Sequence, residues 1–181
     1  QAVILQERCK IANAIQGLDL FVSLHSNAAG DSGWSSARGW SCYLYGAGGE
    51  REKAAQAVLK QVKAAGVTVR TTALVYDPAL YVLKHTVAPA VLIEHAFHTN
   101  REDTENLKSE AWRAKVAQAE AKGIAEYLGV PWTAEEAQES QGDVELSAAV
   151  AKLAAAGIID SPEYWAAGKY SAATVRLLLI K

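Results

Sequence analysis

Two short apolar runs constrain this chain more than any other feature. One is Leu20-Phe21-Val22-Ser23-Leu24-His25-Ser26-Asn27 and the other is Pro89-Ala90-Val91-Leu92-Ile93-Glu94-His95-Ala96-Phe97. Both have the length and the apolar side chains of buried strands. Each carries an ionisable group toward its C-terminal end, His25 in the first and Glu94 in the second. Carboxylates rarely enter a buried strand without a partner or a task. Two such strands, each presenting a polar group at the same end, predict one site assembled by folding.

Amphipathic segments alternate with these runs. Residues 3–16 place Ile4, Leu5, Cys9, Ile11, Ala12 and Ile15 at mostly helical spacing, closed by Gly17. Residues 50–65 carry Ala55, Val58, Leu59 and Val62 on one face and stop at Gly66. Trp40 to Tyr45 alternates as a strand does, and Val67-Thr68-Val69 is briefly strand-like. Tyr76 to Lys84 is ambiguous, because Pro78 argues against a central strand. Asn100 predicts a helix cap, with Glu102 and Asp103 in the first turn where the helix dipole favours them. A further helix is expected from about 109 to 128, ending at Gly129. The pattern predicts an α/β fold of three layers, a twisted and mostly parallel sheet flanked by helices. Such sheets bind ligands at the C-terminal ends of their strands, where His25 and Glu94 lie. The polar segment from Asn27 to Gly39, which contains Trp34, is of a length that is often functional.

With 181 residues, half of them hydrophobic, the chain can form one domain with a small appendage. A net charge of −2 gives no reason to expect a nucleic-acid partner. No apolar stretch approaches the length of a membrane span. Cys9 and Cys42 are too few for a disulfide scaffold and lack the spacing of a structural zinc site, so both are expected to fill core. Composition shifts to Glu, Gln, Ser and Gly over 131–142, which reads as a linker between a domain at 1–130 and a small helical module at 143–181. Asp143, Ser161-Pro162 and Ser171 are candidate helix starts there. The chain has no methionine, begins in a helix-like stretch and stops in an apolar periodic one, which reads as a processed or trimmed piece of a longer protein.

The residue types suggest chemistry. A neutral imidazole at His25 can bind a metal through one nitrogen while Asn27 or a neighbouring serine holds the other. The same residue can equally be a hydrogen-bonded structural histidine. A partly buried Glu94 suits a group that takes a proton from water and passes it to a leaving amine. His95 should face the opposite side of its strand from Glu94 and is expected to be packed or at the surface. His98 lies at or beyond the strand end, and His85 is read as a loop residue.

The segments Asp19 to Ala28 and Pro89 to Asp103, in this order and separation, resemble the zinc-dependent N-acetylmuramoyl-L-alanine amidases of the amidase-3 type, found among bacterial cell-wall hydrolases and phage endolysins. Arg8 with Ile11-Ala12-Asn13, the strand from Gly39 to Tyr45, Leu80-Tyr81-Val82-Leu83 and the helix end Gly123 to Val130 fit the same pattern. The resemblance covers residues 1 to about 130. It implies hydrolysis of the amide between N-acetylmuramic acid and the L-alanine of the stem peptide, with Zn2+ held by two histidines and a glutamate. His25 matches the last of those ligands and Glu94 the catalytic acid/base. The other two ligands would precede Gln1, so the catalytic domain is expected to be N-terminally incomplete. Asn27, Trp34, Arg38 and Tyr81 are candidate substrate-binding residues, with Trp40 a further aromatic of groove or core. Arg38 could meet a stem-peptide carboxylate or stand as a solvated loop charge. The last helices resemble small modules appended to such amidases and read as a docking or wall-targeting element. The expected partner is peptidoglycan and the expected location the cell wall or the extracellular space, or release as a phage endolysin. Two alternatives stand beside this reading. One is a non-catalytic wall-binding or regulatory module with a degenerate metal site, and the other an unrelated metallohydrolase using His25, His95 or His98 with Glu94.

Overall fold

A computed structural model describes residues 3–30 and 33–132, which belong to one unit of the chain. Expectations for 133–181, which include most of the linker and the helical module, lie outside the described residues. The elements run α1 (Leu5–Asn13), β1 (Phe21–Asn27), β2 (Trp40–Leu44), α2 (Gly49–Ala64), β3 (Val69–Tyr76), α3 (Tyr81–His85), β4 (Ala90–Phe97), α4 (Arg101–Lys108) and α5 (Glu110–Leu128). Both apolar runs are strands, as their composition predicts.

The four strands form one sheet in the order β1-β4-β2-β3. β1 runs parallel to β4 and β2 parallel to β3, while β2 and β4 are antiparallel. The expected mostly parallel sheet is therefore present with one antiparallel seam. Two corrections follow. The brief strand read at 67–69 is an eight-residue strand starting at Val69, and the polar stretch Arg70-Thr71-Thr72 is tolerated because β3 is an edge of the described sheet. His85 is the last residue of the short helix α3, not a loop residue, and its ring stacks on Tyr81 at 4.1 Å.

Side chains alternate between the two faces of the sheet. On one face Trp40, Cys42, Leu44, Val91 and Ile93 pack with Val58 and Val62 of α2 and Val116 of α5. On the other a smaller cluster joins Cys9 of α1, Val82 and Leu83 of α3, and Ala90 and Leu92 of β4. Each fully buried Val, Ile or Leu of these layers contributes roughly 1.5–3 kcal/mol. Both cysteines are buried core residues, and burial, with the nearby Glu120 charge, pushes the Cys42 thiol up to about 12, which makes it inert.

The first layer requires α2 and α5 to cross in close contact. At Gly123 a Cβ would sit 2.4 Å from the Val58 Cα and 2.8 Å from its backbone nitrogen, inside any tolerable contact. Gly123→Ala is therefore expected to lower the unfolding free energy by about 1–3 kcal/mol or more through overpacking. The check is a lower urea midpoint at unchanged slope.

Candidate active site

Parallel pairing of β1 and β4 aligns Phe21 with Ala90, Ser23 with Leu92 and His25 with Glu94. Register partners project to the same face. His25 and Glu94 are thus nearest cross-strand neighbours at the C-terminal ends of two parallel strands. On the other side of β4, Ser41 is the register partner of Glu94.

Glu94 is half-buried, and its Oε2 is fully enclosed without a hydrogen-bond partner among the described residues. Ser41, on the same face, is completely buried and its hydroxyl is likewise unpartnered among them. Burial raises the Glu94 pKa above the usual carboxylate range, and the charge of His95 offsets part of that rise. A carboxyl oxygen enclosed without a partner costs about 1–3 kcal/mol or more, and Glu94 carries that cost among the described residues.

The His25 ring meets Ser23 Oγ at 2.9 Å through Nε2. Burial, followed by the positive charges of Arg8 and His95, lowers its pKa, so the imidazole is neutral near pH 7, as a metal ligand must be. The serine that orients it is Ser23, two residues back on the same strand face. Ser26 instead meets the His98 ring at 3.1 Å, and Asn27 donates to the Tyr43 hydroxyl at 3.3 Å. Arg70 donates to that hydroxyl as well and lies 5.3 Å over the Phe97 ring. One imidazole and one orphaned carboxylate fit part of a zinc site. No group of three His, Cys, Asp or Glu that could hold a metal occurs among the described residues.

The loop entering β2 is latched to the segment leaving β4. Ser35 N donates to Thr99 O at 2.7 Å, Asn100 Nδ2 to Ser35 O at 2.9 Å, and Ala29 N to Thr99 Oγ1 at 2.9 Å. Asn100 caps α4 as expected, accepting from the Glu102 and Asp103 amides. Asp103 is buried at 1 % exposure, and its Oδ2 accepts from Gly39 N and Phe97 N, each at 2.8 Å. Gly39 has φ +94°, and a Cβ there would press on the Arg70 backbone at 3.1 Å.

This latch places Trp34 against Arg101, whose guanidinium lies 4.6 Å over the exposed indole. A groove of about 310 Å3 runs between Trp34, Ser35, Asn100, Arg101 and Glu102. Arg38 is a partly exposed loop charge that is paired: both of its terminal nitrogens bond Glu102. Tyr81 opens α3, packs on the smaller core cluster and stacks on His85. Trp40 is core, with no exposure. A separate cleft of about 260 Å3 between α2 and α5 includes Gln61, Lys115, Lys122 and Trp132 and holds no histidine or carboxylate.

His95 points away from Glu94, as strand alternation predicts. Its Nδ1 lies 2.7 Å from the carbonyl oxygen of His25 and its Nε2 lies 3.1 Å from Glu120 Oε2. The other oxygen of Glu120 accepts from the Trp40 indole at 2.8 Å. Glu120 is only 5 % exposed and was not singled out by sequence, where it looks like one more charge in an alanine-rich helix. The available signal was its spacing from Val116 and Gly123, which puts all three on one helix face.

The fold and the paired strand ends define an α/β domain with a hydrolase-like histidine and carboxylate at the C-terminal edge of its sheet. A family model described as N-acetylmuramoyl-L-alanine amidase, Amidase_3, matches residues 1–126, and the chain belongs to that family. The chain is 35% identical over 123 residues to the N-acetylmuramoyl-L-alanine amidase LytC of Bacillus subtilis, covering 68% of this chain and 24% of LytC. It is 34% identical over 128 residues to the endolysin of Bacillus phage SPP1, covering 70% and 46%. The catalytic domain of CwlV, an N-acetylmuramoyl-L-alanine amidase from Bacillus (Paenibacillus) polymyxa var. colistinus, has the same fold with a TM-score of 0.63 at 30% identity, covering 72% of this chain and 69% of that one. The chain thus spans a quarter to a half of the length of these two sequence relatives.

Burial pushes the His95 pKa down, but the hydrogen bond and charge of Glu120, the His25 carbonyl and the Glu94 charge together raise it above 6.5. A pKa raised on folding stabilises fully below the unfolded value and ceases to do so as pH climbs through the folded one. The stability advantage of the wild type over Glu120→Leu is expected to be largest in mildly acidic buffer and to shrink as pH rises above 6.5. Urea titrations of both proteins across that range check it.

Proposed function

We propose that this chain carries the catalytic half-site of a peptidoglycan amidase, which hydrolyses the bond between N-acetylmuramic acid and L-alanine. The observation that carries the reading is Glu94, with a buried oxygen that has no partner among the described residues, beside His25 in a member of the amidase family. In this reading Glu94 takes one proton from the attacking water as the oxygen bonds to the amide carbon. As the carbon–nitrogen bond breaks, Glu94 returns the proton to the departing nitrogen, giving the amine of L-alanine and a carboxylic acid on the muramyl side, which then loses its remaining proton to water. The raised pKa of Glu94 suits both halves of that transfer, because the group can hold the proton between them.

His25 would hold zinc, with Ser23 fixing its ring and with further ligands from outside the described residues. When bound, zinc supplies Lewis-acid polarisation of the scissile carbonyl and eases deprotonation of water. Asn27 and Tyr43 line the same face, and Trp34 with Arg101 offers a stacking surface for sugar or peptide at the end of the sheet. Tyr81 stands outside that groove, in the smaller core cluster on the sheet face that carries His25 and Glu94, and would reach substrate only from there. Arg38, already committed to Glu102, supports the loop and would meet a substrate carboxylate only through that pair. The substrate places the site of action in the cell wall or outside the cell.

A second reading, wall binding without turnover, is favoured by the want of a three-ligand cluster among the described residues. Glu94→Gln separates the two. It is expected to reduce release of L-alanine amino groups from purified peptidoglycan by about 10²–10⁴-fold while zinc content and fold are kept. Release equal to wild type would sink the amidase reading. Wall retention with no release by either protein would support the second. The acid limb of the wild-type rate profile is expected to lie above the ordinary glutamate range, as burial of Glu94 dictates.

A further inference from the structure

The structure assigns His95 a positioning role: we propose that it holds the backbone of His25 in place from the far side of the sheet. The inference rests on the reading of His25 as the metal-binding residue. The carbonyl of His25 has no proton to give, so His95 Nδ1 is the donor across their 2.7 Å contact. At its other end the ring meets Glu120 of α5, at 3.1 Å. Glu120 is itself held by the indole of Trp40, a core residue of β2. A rigid planar ring therefore links a buried, doubly held carboxylate to one peptide group of β1.

The position of that peptide group matters. Pairing of β1 with β4 is regular from Phe21 to His25 and then slips, so that Asn27 faces Phe97. Two residues of β4, His95 and Ala96, stand against Ser26 alone. A bulge loosens the ladder just where the imidazole leaves the strand. The His95 bond spans this point and restrains the peptide plane after His25 from the side opposite its ring. An error of about 1 Å in a reacting group can cost on the order of 10²-fold in rate, so a restraint at this peptide is a restraint on catalysis.

Two substitutions separate the ring's two contacts. The amide nitrogen of asparagine reaches the position of histidine Nδ1, and that of glutamine the position of Nε2. His95→Asn keeps the donor to the His25 carbonyl, while His95→Gln keeps only the contact to Glu120. Triple-resonance NMR of the whole chain reads the His25 carbonyl carbon through the amide of Ser26, and the His25 ring through its own resonances. His95→Gln is expected to shift both, and His95→Asn to leave both close to wild type, although each loses thermal stability. In turnover of peptidoglycan, His95→Gln should lower kcat about 10–10²-fold with KM little changed, and His95→Asn should recover most of it.

Equal displacement of His25 in both variants, or displacement in neither, would overturn the proposal and leave His95 as packing. If neither variant folds, Glu120→Gln keeps an acceptor of the same shape. A displacement of the His25 carbonyl resonance from its wild-type position in Glu120→Gln supports the restraint, and an unmoved resonance overturns it. A wild type that exposes no L-alanine amino groups would refute the amidase reading, while the carbonyl resonances would still decide whether His95 holds His25.

Discussion

The register of β1 on β4 is the constraint on which the site depends. It sets His25 beside Glu94 and both on the face opposite the large core. A slip of one residue would send the histidine toward the core and bring Leu24 out next to the carboxylate. The register is held by burial of Val91 and Ile93 under α2 and α5 and by Leu92 on the other face, so packing on both sides of β4 resists such a slip. The chemistry of the site is in this sense a by-product of where the apolar side chains of one central strand must go.

Among the described residues Asp103 and Glu120 are buried and Glu94 is half-buried, and their surroundings differ in a way that sorts them. Asp103 accepts two backbone amides and joins the loop before β2 to the end of β4. Glu120 is engaged through both oxygens, by an indole and an imidazole. Both are satisfied, as buried charges must be if they are to support a fold. Glu94 has one oxygen enclosed and unpartnered among the described residues. The contrast separates acids that tie elements together from the one whose enclosed oxygen ties nothing among the described residues, the acid assigned the proton transfer in the proposed function.

Much of this was legible beforehand, for identifiable reasons. β1 and β4 announce themselves as apolar runs, α2 and α5 by period and by the glycines that follow them, and Asn100 by the acidic turn after it. That His95 faces away from Glu94 follows from strand alternation alone. β3 was under-read because Arg70, Thr71 and Thr72 give no apolar pattern, and an edge strand does not need one. Glu120 was missed because helix composition suggested a surface, when only tertiary packing shows which face of α5 is down. Arg38 looked like a free cation because its partner, Glu102, lies 64 residues away. Nothing local could have joined them.

Gly123 bears on more than the packing of two helices. It lies three residues beyond Glu120, on the same face of α5, and the crossing with α2 seats that helix as deep as a missing side chain allows. A glutamate is short. Its carboxylate reaches the Trp40 indole and the His95 ring from the helix face that also meets α2. A side chain at 123 would press α5 off α2, and the face it moves is the one that carries Glu120. The glycine and the buried acid thus share one helix seating.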